Sequence, residues 1–275
     1  MKSAMTKKED GTISLHVTIP WKDVKKTWDE VVDTIVKETT LPGFRKGMAP
    51  RDMVEKKLDT TQVKEDVLRK LLPAAYSEAV TEQKIKPVMS PRIQVEKIAE
   101  DADWEFTAET CEAPTVTLGN YKDGVKKITA KSKIAIPGKE TKKPNMDEII
   151  KAILETTKAQ IPEVLVATEA ERLLSQLLDE VKSLGLSLDQ YLSSTHKTIE
   201  QVKEEYTTRA RQDITFEFVL QEIANQEKIT VEQKELEEAL EKAQSPEERK
   251  NLEKNMYLLA SIIRQQKTLD FLQNL

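Results

Sequence analysis

Apolar positions along this chain switch between a period of two and a period near 3.6, and the switches mark out its elements. Residues 12–20 alternate: Ile13, Leu15, Val17 and Ile19 fall on one face, with His16 and Thr18 on the other. That pattern predicts a half-buried strand. From Trp21 the spacing turns helical, with Val24, Trp28, Val31, Val32 and Ile35 in one stripe that ends near Thr40. Arg51 to about Leu58 reads as a short helix, and Gln62 to about Gln83 as a longer one with Pro73 as a possible bend. Alternation returns at Ile93–Glu96 and Trp104–Ala108. Residues 1–112 are therefore expected to form an α+β domain, with helices on one face of an antiparallel sheet that joins the first and last strands.

Beyond residue 145 the signals are helical. Five candidate helix starts have a polar residue followed three positions later by an acid or amide: Asn145, Ser187, Thr198, Thr230 and Ser245. Such pairs cap the free N–H groups of a first turn reciprocally. Apolar stripes follow, among them Leu173, Leu174, Leu177, Leu178 and Val181, then Val202, Tyr206, Ala210, Ile214, Phe218 and Val219. The last helix is expected from about Pro246 to Phe271. Residues 146–275 thus predict an all-α domain.

One segment fits neither period. Gly43-Phe44-Arg45-Lys46-Gly47-Met48-Ala49-Pro50 is a glycine-bracketed turn that lifts an aromatic ring and two cations into solvent. Gly43 and Gly47 supply the positive φ angles of a tight tip, and Pro50 stands where a following helix begins. A ring for a pocket, a guanidinium for a carboxylate or phosphate, and an ammonium together make a small docking plug.

Charge changes the picture between the two domains. Of 275 residues 33% are charged and 5% aromatic, so the core is mainly aliphatic and the helices face water. The net charge of −5 argues against wholesale coating of nucleic acid, but it is unevenly spread. Residues 1–112 carry 19 Lys/Arg and 21 Asp/Glu, residues 113–145 carry 8 and 2, and residues 146–275 carry 16 and 25. The middle segment holds three prolines and three glycines and is expected to be a basic linker, with a strand-like stretch near Lys133–Ile136. Its Lys122, Lys126, Lys127, Lys131, Lys133, Lys139, Lys142 and Lys143 are candidates for contact with RNA. Cys111 is the only cysteine, which excludes an intramolecular disulfide and a multi-cysteine zinc site. The N-terminus has no apolar run of the secretory type, and nowhere are there roughly 18 consecutive apolar residues. A cytoplasmic protein without membrane contact is expected.

Gly43-Phe44-Arg45-x-Gly47-x-x-Pro50 resembles the ribosome-docking signature of the trigger factor family, chaperones of the bacterial nascent-chain exit. Pro114–Tyr121 is similar to the exit from that family's N-terminal domain. Ile161–Val166 with Glu169, and Arg209 through Ile229, are similar to its C-terminal domain. The resemblance covers nearly the whole chain. It implies that Phe44, Arg45 and Lys46 contact a large-subunit protein and nearby RNA at the ribosomal tunnel exit, with Gly43, Gly47 and Pro50 shaping the tip. It also implies an ATP-independent chaperone whose helical domain is a cradle for nascent or unfolded polypeptides, and which in some relatives pairs as a homodimer. Met256, Tyr257, Leu258, Ile262, Ile263 and Phe271 on the last helix are then the candidate client contacts.

The sequence departs from the family in one large way. A full trigger factor carries an FK506-binding-type prolyl-isomerase domain between the two halves. Here only about Lys122–Asn145 is available, without Phe or Trp, and so short a segment rarely buries a core of its own. No isomerase activity is expected. His16 and His196, the only histidines, lie in no metal-ligand spacing, and no phosphate-binding glycine loop is present. A chaperone that is not an enzyme and needs no cofactor is the expectation. The alternative is an assembly chaperone or scaffold that works away from the ribosome through the helical domain.

Overall fold

The computed structural model describes residues 1–132, 145–242 and 245–275. The chain divides into two compact units, residues 1–113 with 162–165, and residues 114–161 with 166–275.

The first unit is a four-stranded antiparallel sheet in the order β1-β2-β4-β3, built from β1 (Lys2–Lys7), β2 (Thr12–Ile19), β3 (Arg92–Lys97) and β4 (Trp104–Cys111). Three of these strands were expected, and the first and last of them, β2 and β4, are the centre of the sheet with their alternation kept: Ile13, Leu15, Val17 and Ile19 lie beside Trp104, Phe106 and Ala108 in one buried layer. Helices α1 (Trp21–Glu38) and α3 (Thr60–Gln83) cover that layer with Val24, Val31 and Val32, and with Val63, Val67, Leu71 and Ala75. Asp59 caps α3 by accepting the Thr61 N–H at 2.9 Å, and the helix runs on through Pro73. The sheet has an edge strand that periodicity did not announce. β1 reads Lys-Ser-Ala-Met-Thr-Lys and is nearly all exposed. Its place comes from pairing with β2, not from a face it hides. Cys111 ends β4 fully buried, and burial pushes its thiol up to about 11.

The second unit is helical apart from a short strand pair, β5 (Val116–Thr117) with β6 (Lys158–Ala159). Here the structure places a helix in the described first part of the linker expected over residues 113–145. Helix α4 (Tyr121–Ser132) packs Tyr121 and Val125 into the core of this unit beside Ile149 and Ile153 of α5 (Met146–Thr156). Tyr121, Val125 and Ile128 stand four and three residues apart, a helical stripe that the surrounding lysines obscured. The Tyr121 hydroxyl donates to Glu227 at 2.9 Å, and the Lys122 ammonium meets the same carboxylate at 2.6 Å. Lys122 is thus committed to an ion pair, whereas Lys126 and Lys127 are exposed. The strand-like stretch at 133–136 lies outside the described residues.

Helices α6 (Glu163–Ser183), α7 (Leu188–Thr195) and α8 (Ile199–Gln226) follow, with Leu177, Val181 and Val202 in a satellite core. Val219, Leu220 and Ile223 of α8 join the main core. Ser187 and Thr198 cap as expected, each in a reciprocal box with the glutamine three residues on. Asn145 and Ser245 also cap their helices. Thr230 does not. Helix α9 (Gln233–Glu241) starts later, capped by Glu232 with Glu235. The loop before α9 is held from outside: Arg264 donates to the Ile229 carbonyl at 2.8 Å and Lys267 to the Thr230 carbonyl at 2.7 Å. The expected single last helix is two, α10 (Pro246–Lys254) and α11 (Met256–Asn274). They are separated at Asn255, whose φ −118 and ψ 41 leave the helical region.

Candidate docking site

The loop after α1 is built by closing its two ends on each other. Leu41 before the tip and Ala49 and Val54 after it are buried together, against Ile35, Val36 and Leu58. Two tight turns lie between these anchors, with the Phe44 N–H on the Leu41 carbonyl at 3.0 Å and the Met48 N–H on the Arg45 carbonyl at 2.9 Å. A third bond closes the base, from the Gly47 N–H to the Thr39 carbonyl at 3.1 Å.

Both glycines are required, for different reasons. Gly43 has φ +88 with open space where a Cβ would sit, so only its conformation demands glycine. Gly47 has φ +76, and a Cβ there would lie 2.7 Å from the Lys37 carbonyl oxygen. Pro50 is the residue just before α2 (Arg51–Glu55), one position earlier than a first helical residue.

Arg51 then locks the loop to its supports. Its guanidinium meets Asp29 at 2.6 Å and Asp33 at 3.0 Å on α1, and Glu55 at 2.5 Å on α2. This arginine is spent on structure. Arg45 and Lys46, by contrast, sit exposed at the tip beside Phe44, which is 36% exposed. Sequence reasoning passed over two neighbours: Met48 is 72% exposed on the same loop, and Met53 is exposed on α2. The signal was available, since Met48 follows Gly47 inside the tip and Met53 precedes the buried Val54.

The six residues singled out on the last helix divide. Tyr257 is 89% exposed, Leu258 59% and Ile262 52%, with Met256 at the edge of exposure. Ile263 is half-buried. Phe271 is also half-buried and packs against the main core of the helical unit. Leu258 and Ile262 line a cleft of about 370 Å³ between α10 and α11, together with Leu252, Asn255 and Leu259. Among the described residues no helix is long and apolar enough to cross a membrane.

The family description "Bacterial trigger factor protein (TF)" matches residues 1–143, and "Bacterial trigger factor protein (TF) C-terminus" matches residues 124–274. A trigger factor from Lactococcus lactis subsp. cremoris (strain SK11) is 32% identical over 167 residues, which are 60% of this chain and 39% of that protein. One from Staphylococcus carnosus (strain TM300) is 39% identical over 122 residues, 44% of this chain and 28% of that protein. The match thus spans well under half the length of these curated relatives. A solved structure described as "Promiscuous Substrate Recognition in Folding and Assembly Activities of the Trigger Factor Chaperone" superposes with a TM-score of 0.66, covering 100% of this chain and 99% of its own. At 15% identity that likeness is one of fold. With the two family descriptions together reaching from residue 1 to residue 274, this chain belongs to the trigger factor family.

Proposed function

We propose that this chain is an ATP-independent cytoplasmic chaperone. It docks beside the ribosomal tunnel exit through Phe44, Arg45 and Lys46, and shelters emerging or unfolded polypeptide on its helical unit. The observation that carries the reading is the pinned loop: its base is closed by a small core and by Arg51, while the ring and both cations at its tip stay in solvent. Rigidity of this kind lowers the ordering cost of binding and lets a small plug hold a large partner. The exposed side chains of α11 suit the second task. Flexible apolar groups can repack around many sequences, and weak contacts release the client without an energy source.

Prolyl-isomerase catalysis is not part of the proposal. Tyr121 and Val125, which open the segment where that domain would be inserted, are consumed in the core of the helical unit. The exposed Lys126 and Lys127 on α4 remain candidates for contact with ribosomal RNA.

Co-sedimentation with bacterial ribosomes tests docking. The wild-type chain is expected in the large-subunit pellet, and a Phe44→Ala, Arg45→Ala, Lys46→Ala variant with unchanged circular dichroism in the supernatant. If the wild type also stays in the supernatant, the ribosome reading is lost. A second reading, an assembly chaperone acting away from the ribosome, rests on the α11 surface, which does not involve the loop. Pairing of two chains through that surface would cover it. Suppression of client aggregation by a wild-type chain that does not pellet with ribosomes would favour this second reading.

A further inference from the structure

We propose that His16, Glu96 and Glu105 form a binding site for a divalent transition-metal cation of the zinc class, on the sheet face opposite α1 and α3. The three residues are remote in sequence and have no ligand spacing. Strand pairing alone brings them together.

In β2 and β4 one face is buried, and the other presents Ser14, His16 and Thr18 beside Glu105, Thr107 and Glu109, all half-buried. His16 is directly opposite Thr107, which places its ring over β4. The third ligand comes from an irregularity. In β3, Val95 pairs with Phe106 but Lys97 pairs with Glu105, so the ladder takes up an extra residue at Glu96. A bulge re-aims a side chain. Here it sets Glu96 beside the imidazole: Nδ1 of His16 is 3.5 Å from a Glu96 carboxylate oxygen, and Nε2 is 3.8 Å from one of Glu105. One donor atom from each residue lies within 4.8 Å of the others.

The spacing matches the chemistry. Two ligand atoms on a tetrahedral zinc with bonds of about 2.0–2.2 Å stand roughly 3.3–3.6 Å apart. An imidazole gives one nitrogen to an ion: the His16 Nδ1–Glu96 pair already has that separation, and Glu105, which lies nearer Nε2, has to turn toward the Nδ1 side to supply the third donor. One imidazole and two carboxylates suit Zn²⁺, Co²⁺ or Ni²⁺, whereas Mg²⁺ and Ca²⁺ prefer oxygen alone. The Thr107 hydroxyl hydrogen-bonds one Glu96 oxygen and so orients the other toward the ring. Lys97 acts against the cation, with its ammonium 3.9 Å from the second oxygen of Glu105. A bound ion would tie the edge strand β3 to β2 across β4, and so couple metal binding to the stability of the sheet.

The full chain, stripped with chelator, is titrated with ZnCl₂ by calorimetry and with CoCl₂ by visible absorption. Wild type is expected to take up one equivalent, to show the strong absorption of four-coordinate cobalt, and to melt at a higher temperature with zinc present. His16→Ala and the near-isosteric Glu96→Gln and Glu105→Gln are each expected to weaken binding about tenfold or more and to abolish the thermal shift. Lys97→Ala is expected to strengthen binding, and His196→Ala to leave it unchanged. The proposal is overturned if wild type shows no saturable uptake. It is equally overturned if His16→Ala and Glu96→Gln, folded by circular dichroism, bind as wild type does, or if His196→Ala removes the binding.

Discussion

The Gly43–Pro50 loop and helix α11 both place apolar side chains in water, and they do so by opposite means. At the loop, three buried residues, two positive-φ glycines and an arginine shared among three carboxylates hold a short peptide in one shape. On α11 the exposed side chains stand on a regular helix: Leu259, Thr268 and Leu272 face inward, and Tyr257, Leu258 and Ile262 are left over on the other side. A surface made for one partner can be rigid, since the shape is known in advance. A surface for many partners gains from side chains that move on a fixed backbone. Backbone changes should therefore damage the loop most, and side-chain changes should matter on α11 only for binding.

The largest expected effect comes from the frame behind α11. Ile153→Ala empties a fully buried position and should cost about 2–5 kcal/mol in urea unfolding of the helical unit. A cost below 0.5 kcal/mol would mean that α4 and α5 do not form the core described here. Next come the glycines. Gly43→Ala should cost about 1–2 kcal/mol through its left-handed backbone alone. Gly47→Ala should cost about 1–3 kcal/mol more, because the added Cβ meets the Lys37 carbonyl. Ribosome pelleting should fall in the same order. Equal effects at the two positions would remove the distinction drawn between them.

Smaller effects sharpen the picture. The Glu227 carboxylate is held below its ordinary 4.5, chiefly by its bond to Lys122 and also by the Tyr121 hydroxyl. A carboxyl depressed in the folded state contributes stability above its unfolded pKa and loses it as pH falls through the folded value. Wild type should therefore exceed Glu227→Gln by about 1 kcal/mol at pH 7. That gap should close as the pH is lowered below about 4.5, a trend visible in urea midpoints across the range. Tyr257→Ala should change stability by less than about 0.5 kcal/mol. It should nevertheless weaken capture of an unfolded apolar peptide about fivefold by fluorescence anisotropy. Least perturbing is the thiol probe. With its pKa pushed to about 11 by burial, Cys111 should resist alkylation at pH 8 until the sheet opens. Rapid labelling of the native chain would show that β4 is not closed over it.

Much of this was readable in the chain because it depends on neighbours in sequence. The alternation of Ile13 to Ile19, the Val24-to-Ile35 stripe, the Ser187 and Thr198 caps and the Gly43–Pro50 turn all follow from spacings of a few residues. Local rules failed where distant groups intervened. Lysines hid the Tyr121–Val125–Ile128 stripe of α4 inside an apparent linker. The Thr230 start moved to Glu232 because Arg264 and Lys267 hold the preceding carbonyls, and a single last helix became two at Asn255.

By itself, the sequence determined the two-part architecture, the periods of the elements and the chemistry offered at the Gly43–Pro50 tip. Those depend on backbone preference and on which side chains a helix or strand must hide. Tertiary structure alone decided which side chains remain exposed. It spent Arg51 on three carboxylates while leaving Arg45 at the tip, and packed Phe271 partly against the core while Tyr257 faces out. It also set His16 beside two glutamates from other strands. Exposure and juxtaposition are properties of packed neighbours far apart in the chain, and no local pattern carries them.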